Sequence, residues 1–206
     1  MRILFQGDSI TDACRVRGND SNMGGGYPVL IKSRLGFTEP GKYEFYNRAI
    51  SGNRVIDIYA RIKQDIINLK PDVMSILVGI NDVWHELYES PNGIDANKYF
   101  RLYSMLIEEL LEALPAVKIM ILEPFVLKGS ATKENWAYFE SETKARAEKS
   151  REVAEKYNLS FVPLQKGFDD LLLQAPETYW TLDGVHPTEM GQAYIEQEWL
   201  KAFYKL

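Results

Sequence analysis

Several short apolar runs alternate with longer segments whose apolar positions recur every three or four residues. The runs Ile3–Gln6, Tyr43–Asn47, Val73–Val78, Val117–Glu123 and Leu159–Pro163 predict strands. Two of them, Met74-Ser75-Ile76-Leu77-Val78 and Lys118-Ile119-Met120-Ile121-Leu122, lack the alternation of a half-solvated strand, as strands covered on both faces do. Phe100, Tyr103, Ile107, Leu110, Leu111 and Leu114 fall at helical spacing, and Pro115 ends that helix. A second helix, about 135–157, carries Glu142/Arg146, Lys144/Glu148 and Glu152/Lys156 four residues apart, which predicts a solvated face. The last helix starts after Pro187, with Thr188 as its N-cap. Strand–helix alternation of this length implies right-handed βαβ units and a parallel sheet with helices on both faces. The pattern therefore predicts one doubly wound α/β domain over residues 1–206, with Glu86–Asp95 as a surface insertion.

Composition narrows the class. The chain has 206 residues, 46% hydrophobic and 26% charged, so it is globular and neither disordered nor fibrous. Area scaling lets about 70% of its surface be buried, leaving roughly 9,800 Å² exposed. A net charge of −5 argues against a nucleic-acid partner. The single cysteine, Cys14, excludes an intrachain disulfide and is expected to be a buried small apolar residue. With only His85 and His186 besides, the residues for a zinc site are nearly missing, and only a hard-cation site built from carboxylates stays open. No stretch approaches the roughly 20 apolar residues of a membrane span, and the short run Ile3–Phe5 is no secretory leader, so no membrane partner and a cytoplasmic location are expected.

Ligands of open α/β sheets bind beyond the carboxyl ends of the strands. Polar clusters follow the first three predicted strands: Gly7-Asp8-Ser9-Ile10-Thr11-Asp12, Arg48-Ala49-Ile50-Ser51-Gly52-Asn53 and Gly79-Ile80-Asn81-Asp82. A fourth, Asp183-Gly184-Val185-His186-Pro187, comes after the fifth strand and a helix; all four are expected at that edge. A serine hydroxyl needs a base before it is a useful nucleophile. His186 follows Asp183 by three residues, so the carboxylate can hold Nδ1–H and leave Nε2 facing Ser9. His85 follows Asp82 at the same spacing, but that loop would then have to supply both the base and the Asn81 amide; His186 is favoured. The N–H groups of Ser9 and Gly52 and the Asn81 amide are candidate oxyanion donors. A glycine at 52 lets backbone approach a substrate closely. The pattern is not the G-x-S-x-G elbow, since position 11 is threonine. Taken singly, each cluster is also ordinary turn or cap composition, and Trp84, Trp136 and Trp180 are core or interface aromatics by default.

Together the four blocks resemble the SGNH (GDSL-type) hydrolase superfamily, over residues 3 to about 200. The resemblance implies a flavodoxin-like three-layer α/β/α sandwich on a five-stranded parallel sheet. It also implies Ser9 as nucleophile, His186 as general base and acid, Asp183 as its orienter, and Ser9, Gly52 and Asn81 as the oxyanion hole. Within the superfamily the likeness extends to bacterial acetylxylan esterases, carried by Gly7–Asp12, Gly26-Tyr27, Ile50–Asn53, Gly79–Trp84 and Pro124-Phe125. That implies removal of acetyl groups from carbohydrate such as xylo-oligosaccharides, with no metal or organic cofactor. Trp84 then either walls the acyl pocket or stacks on a sugar.

Three rival readings stand beside this one: a lysophospholipase or thioesterase with the same machinery, a non-catalytic carbohydrate-binding module that kept the scaffold, and, more distantly, a flavodoxin-like nucleotide binder. The last lacks a glycine-rich phosphate loop after the first strand. The expected partner is a small-molecule or oligosaccharide ester. A homo-oligomer is compatible with the tryptophan and tyrosine content, which core packing accounts for equally well.

Overall fold

The computed structural model describes all 206 residues. Five strands, β1 (Arg2–Gly7), β2 (Glu44–Asn47), β3 (Val73–Leu77), β4 (Lys118–Leu122) and β5 (Ser160–Val162), form one sheet in the order β2-β1-β3-β4-β5. Every pairing is parallel; Phe5 lies opposite Ser75 in one neighbour and Asn47 in the other. The order reverses between β1 and β3, which opens a crevice beyond their carboxyl ends.

The connections are α1 (Ser9–Asp12), α2 (Tyr27–Thr38), α3 (Val55–Ala60), α4 (Ile62–Asp65), α5 (Ile80–Trp84), α6 (Ala96–Ala113), α7 (Trp136–Lys156), α8 (Gln165–Leu171), α9 (Glu177–Trp180) and α10 (Glu189–Phe203). Alternate strand residues feed two separate cores. Ile3, Phe5, Met120 and Leu122 pack with Ile31 and Leu35 of α2, Phe168 of α8 and Trp199 of α10. Leu4, Met74, Ile76, Ile119 and Ile121 pack with α3, α4, α6 and α7 on the other face. This is why the central strands read as continuous apolar runs. The accessible surface of 9628 Å² matches the area expected for one folded chain of this mass. No helix is long and apolar enough to cross a membrane.

The expected helix ends hold. Thr188 caps α10 by accepting from Gly191 N–H, and α6 stops at Leu114, just before Pro115. Three expectations change. Cys14 is exposed, not buried, because it sits in a left-handed turn (φ 60°) that leaves α1 for the surface. The charged face of α7 is not all solvated: Arg146 is 2% exposed, pairs with Glu142 and donates from Nε and Nη2 to the Ile94 carbonyl (3.1 and 2.6 Å). Lys149 pairs with Glu152, and Lys156 reaches Glu108 instead of Glu152. The stretch Glu86–Asp95 is consequently more than a surface insertion, since Ile94 is buried at its end and Asp95 caps α6.

Candidate active site

All four polar clusters lie at the carboxyl edge of the sheet, and hydrogen bonds join them. Ser9 opens α1 directly after β1, where Asp8 is the N-cap and its Oδ1 accepts from Ile10 N–H. The turn is rigid from below, because Phe5 packs edge-on against Tyr27 and beside Trp199, while Thr11 and Tyr27 share a hydroxyl hydrogen bond (3.0 Å). Ser9 Oγ lies 3.0 Å from His186 Nε2, and His186 Nδ1 lies 2.8 Å from Asp183 Oδ2. The other carboxylate oxygen, Oδ1, accepts the backbone N–H groups of Val185 and His186 (2.9 and 2.8 Å).

The segment carrying Asp183 and His186 is shaped by its neighbours. Thr181 and Pro187 pair across its base. Leu127 N–H donates to the Gly184 carbonyl and Ala131 N–H to the Asp183 carbonyl. Gly184 is left-handed (φ 98°), and a Cβ there would lie 2.5 Å from the Leu127 carbonyl oxygen. Only glycine fits.

Gly52 and Asn81 enter by a second set of links. The Asp12 carboxylate accepts from Ser51 N–H (2.9 Å), fixing the Gly52 turn to α1. Asn81 Nδ2 donates to the Asn53 carbonyl (3.1 Å), which leaves its second amide hydrogen for another acceptor. Asp82 accepts from Val55 N–H, binding the same turn to α5. Gly52 has φ 83°, and nothing stands within 4 Å of where a side chain would begin. The N–H groups of Ser9 and Gly52 make no hydrogen bond within the protein. Asp12 and Asp82 were not assigned a role from sequence; each acts on a partner 39 or 27 residues away.

Electrostatics follow from these contacts. Burial alone would raise the Asp183 carboxyl, but hydrogen bonds from the His186 ring and from two backbone N–H groups outweigh it and bring it down to about 2. The Asp183 hydrogen bond raises the His186 imidazole above its ordinary value, against the opposing effect of burial. Burial pushes Asp8 up to about 7 and Asp82 well above the carboxylate range. His85 is the histidine left out. Asp82 is turned to Val55, while His85 stacks on Tyr88 with ring centroids 4.6 Å apart, and burial lowers its pKa. Trp84 is half-buried, 6.2 Å from the His186 ring and edge-on to Phe139. A hydroxyl, an imidazole and a carboxylate in series, beside unpaired N–H donors, can deprotonate the hydroxyl and hold a developing oxyanion.

The family model of the GDSL-like lipase/acylhydrolases matches residues 5–194, which includes all four clusters. The chain belongs to this family. Among its GDSL-like relatives is an acetylxylan esterase of Geobacillus stearothermophilus, 33% identical over 207 residues that cover 97% of this chain and 92% of that protein. A solved candidate GDSL-like lipase from Parabacteroides merdae superposes with a TM-score of 0.92 at 35% identity, covering 98% and 94% of the two chains. The solved G. stearothermophilus acetylxylan esterase superposes at 0.86 and 28% identity, over 98% and 93%. A GDSL acylhydrolase of this lineage is a carboxylic ester hydrolase.

Proposed function

We propose that this esterase removes small acyl groups, acetyl above all, from carbohydrate such as acetylated xylo-oligosaccharides, by serine acyl-enzyme chemistry. The observation that carries the reading is the hydrogen-bonded series Ser9–His186–Asp183, 3.0 and 2.8 Å, at the point where the sheet order reverses. Asp183 accepts Nδ1–H, so the neutral imidazole presents an unprotonated Nε2 to Ser9. As Ser9 Oγ attacks the ester carbonyl, its proton passes to Nε2, and Asp183 stabilises the imidazolium. The carbonyl oxygen, now negative, accepts from Ser9 N–H, Gly52 N–H and the free Asn81 amide hydrogen. Collapse of the tetrahedral species breaks the bond to the alcohol, which leaves with the proton from His186. Water repeats the sequence on the acyl-enzyme and restores Ser9. Trp84 walls the cleft beside His186, favouring a short acyl group.

Rates on a panel of acetylated xylose, acetylated glucose, a lysophospholipid and an acyl thioester test the reading. Preferred turnover of the acetylated sugars is expected. Preference for the long-chain lipid or the thioester overturns the substrate assignment while leaving the esterase chemistry in place.

A further inference from the structure

We propose that the His85–Tyr88 ring stack is a sugar platform, on which a pyranose ring of the ester's alcohol portion lies while its acyl group occupies the cleft. The inference rests on the carbohydrate ester reading above. Tyr88 is 50% exposed, and the His85 ring braces it at 4.6 Å and 27°. Burial lowers the His85 pKa, with Arg54 adding to it, so the brace is an uncharged ring. Leu87, also exposed, extends the apolar patch between the polar residues Glu86 and Glu89.

An exposed aromatic stack is common enough on a protein surface; the way this one is held is what points to a ligand. Asn92 N–H closes the loop on the His85 carbonyl (3.0 Å), and Gly93 N–H donates to Glu86 (3.1 Å). Arg54, two residues beyond Gly52, donates to the Asn92 carbonyl. Ile94 N–H donates to the carbonyl of Asp82, the neighbour of Asn81, and the buried Arg146 holds the Ile94 carbonyl. The loop is therefore strapped to both segments that bear the proposed oxyanion donors. Such strapping removes the ordering cost that a free loop would meet on binding. Tyr88 also follows Trp84, whose ring lies beside that of His186, by four residues, so chain length keeps its Cα within about 15 Å of the Trp84 Cα. Neutral aromatic rings favour the apolar C–H face of a pyranose, which the glycerol portion of a lysophospholipid and the thiol portion of a simple acyl thioester do not offer.

Steady-state kinetics of Tyr88→Ala and Tyr88→Phe on acetylated xylo-oligosaccharide and on ethyl acetate test this. Tyr88→Ala is expected to raise KM for the oligosaccharide about tenfold with kcat unchanged. Tyr88→Phe restores the wild-type KM, and all three proteins hydrolyse ethyl acetate alike. An unchanged oligosaccharide KM in Tyr88→Ala overturns the platform, as does an equal loss on ethyl acetate. Wild-type protein that cleaves ethyl acetate but not the oligosaccharide removes the carbohydrate reading itself, and the platform with it.

Discussion

Asp8 offers a stability test that separates a cap from a charge. Its Oδ1 caps α1, whereas its Oδ2 is buried with no hydrogen-bond partner. Burial moves the carboxyl from 3.8 to about 7. Asp8→Asn keeps the cap, since asparagine serves as well there, and removes the ionisation. A carboxyl raised on folding contributes stability that is fully present below its unfolded value and is lost as pH rises through the folded one. For Asp8 that window runs from 3.8 to about 7, and at about 1.4 kcal/mol per pH unit the loss reaches ~4 kcal/mol above it. Urea unfolding of both proteins at about pH 4 and about pH 8 measures it, because groups that do not feel the Asp8 charge cancel in the difference. His186 and Asp82 do feel it, as a minor cause among those acting on each. The variant is expected to gain ~4 kcal/mol on the wild type between those conditions, or about 8–16 °C in Tm. A difference that does not change with pH would refute the argument that Asp8 is an unpaired buried acid.

Two kinetic expectations follow from the site itself. The Asp183 hydrogen bond raises the His186 pKa above 6.5, and only the neutral ring can accept the Ser9 proton, so kcat/KM should fall with acidity through a midpoint above 6.5. Initial rates across the neutral range check this, and activity undiminished down to about pH 5 would contradict it. Asn81→Ala should lower kcat by about 10² to 10³ with little change in KM, the cost of one lost oxyanion donor. An unchanged kcat would take Asn81 out of the chemistry.

The five strands were legible to within a residue or so at each end: burial on both faces makes the central β1, β3 and β4 continuous apolar runs, while the partly buried edge strands β2 and β5 read from shorter apolar stretches. Their carboxyl ends in turn located three of the four polar clusters; the Asp183–Pro187 cluster comes only after β5, α8 and α9. The helix Tyr27–Thr38 was not legible: its apolar residues run all round the axis, with Phe37 88% and Leu30 36% exposed. The short helices α3 and α4 break at Arg61 before a helical period can register. Local spacing paired Arg146 with Glu142 correctly but could not show that its guanidinium turns inward, since the acceptor, the Ile94 carbonyl, lies 52 residues away. The same holds for Asp12 and Asp82, whose backbone partners are Ser51, in a different polar cluster, and Val55, two residues beyond that cluster at the start of α3. Spacing also left His85 and His186 equivalent as partners of an aspartate; the fold separates them by turning Asp82 to Val55 and Asp183 to His186.

The central claim, that Ser9 is the nucleophile, is tested most directly by covalent labelling with a fluorophosphonate, followed by peptide mapping and an esterase assay on the same sample. The account predicts a single adduct on Ser9, activity lost in proportion to labelling, and no adduct in Ser9→Ala. Full ester hydrolysis by protein whose Ser9 is derivatised, or an inactivating adduct on another residue, would contradict it.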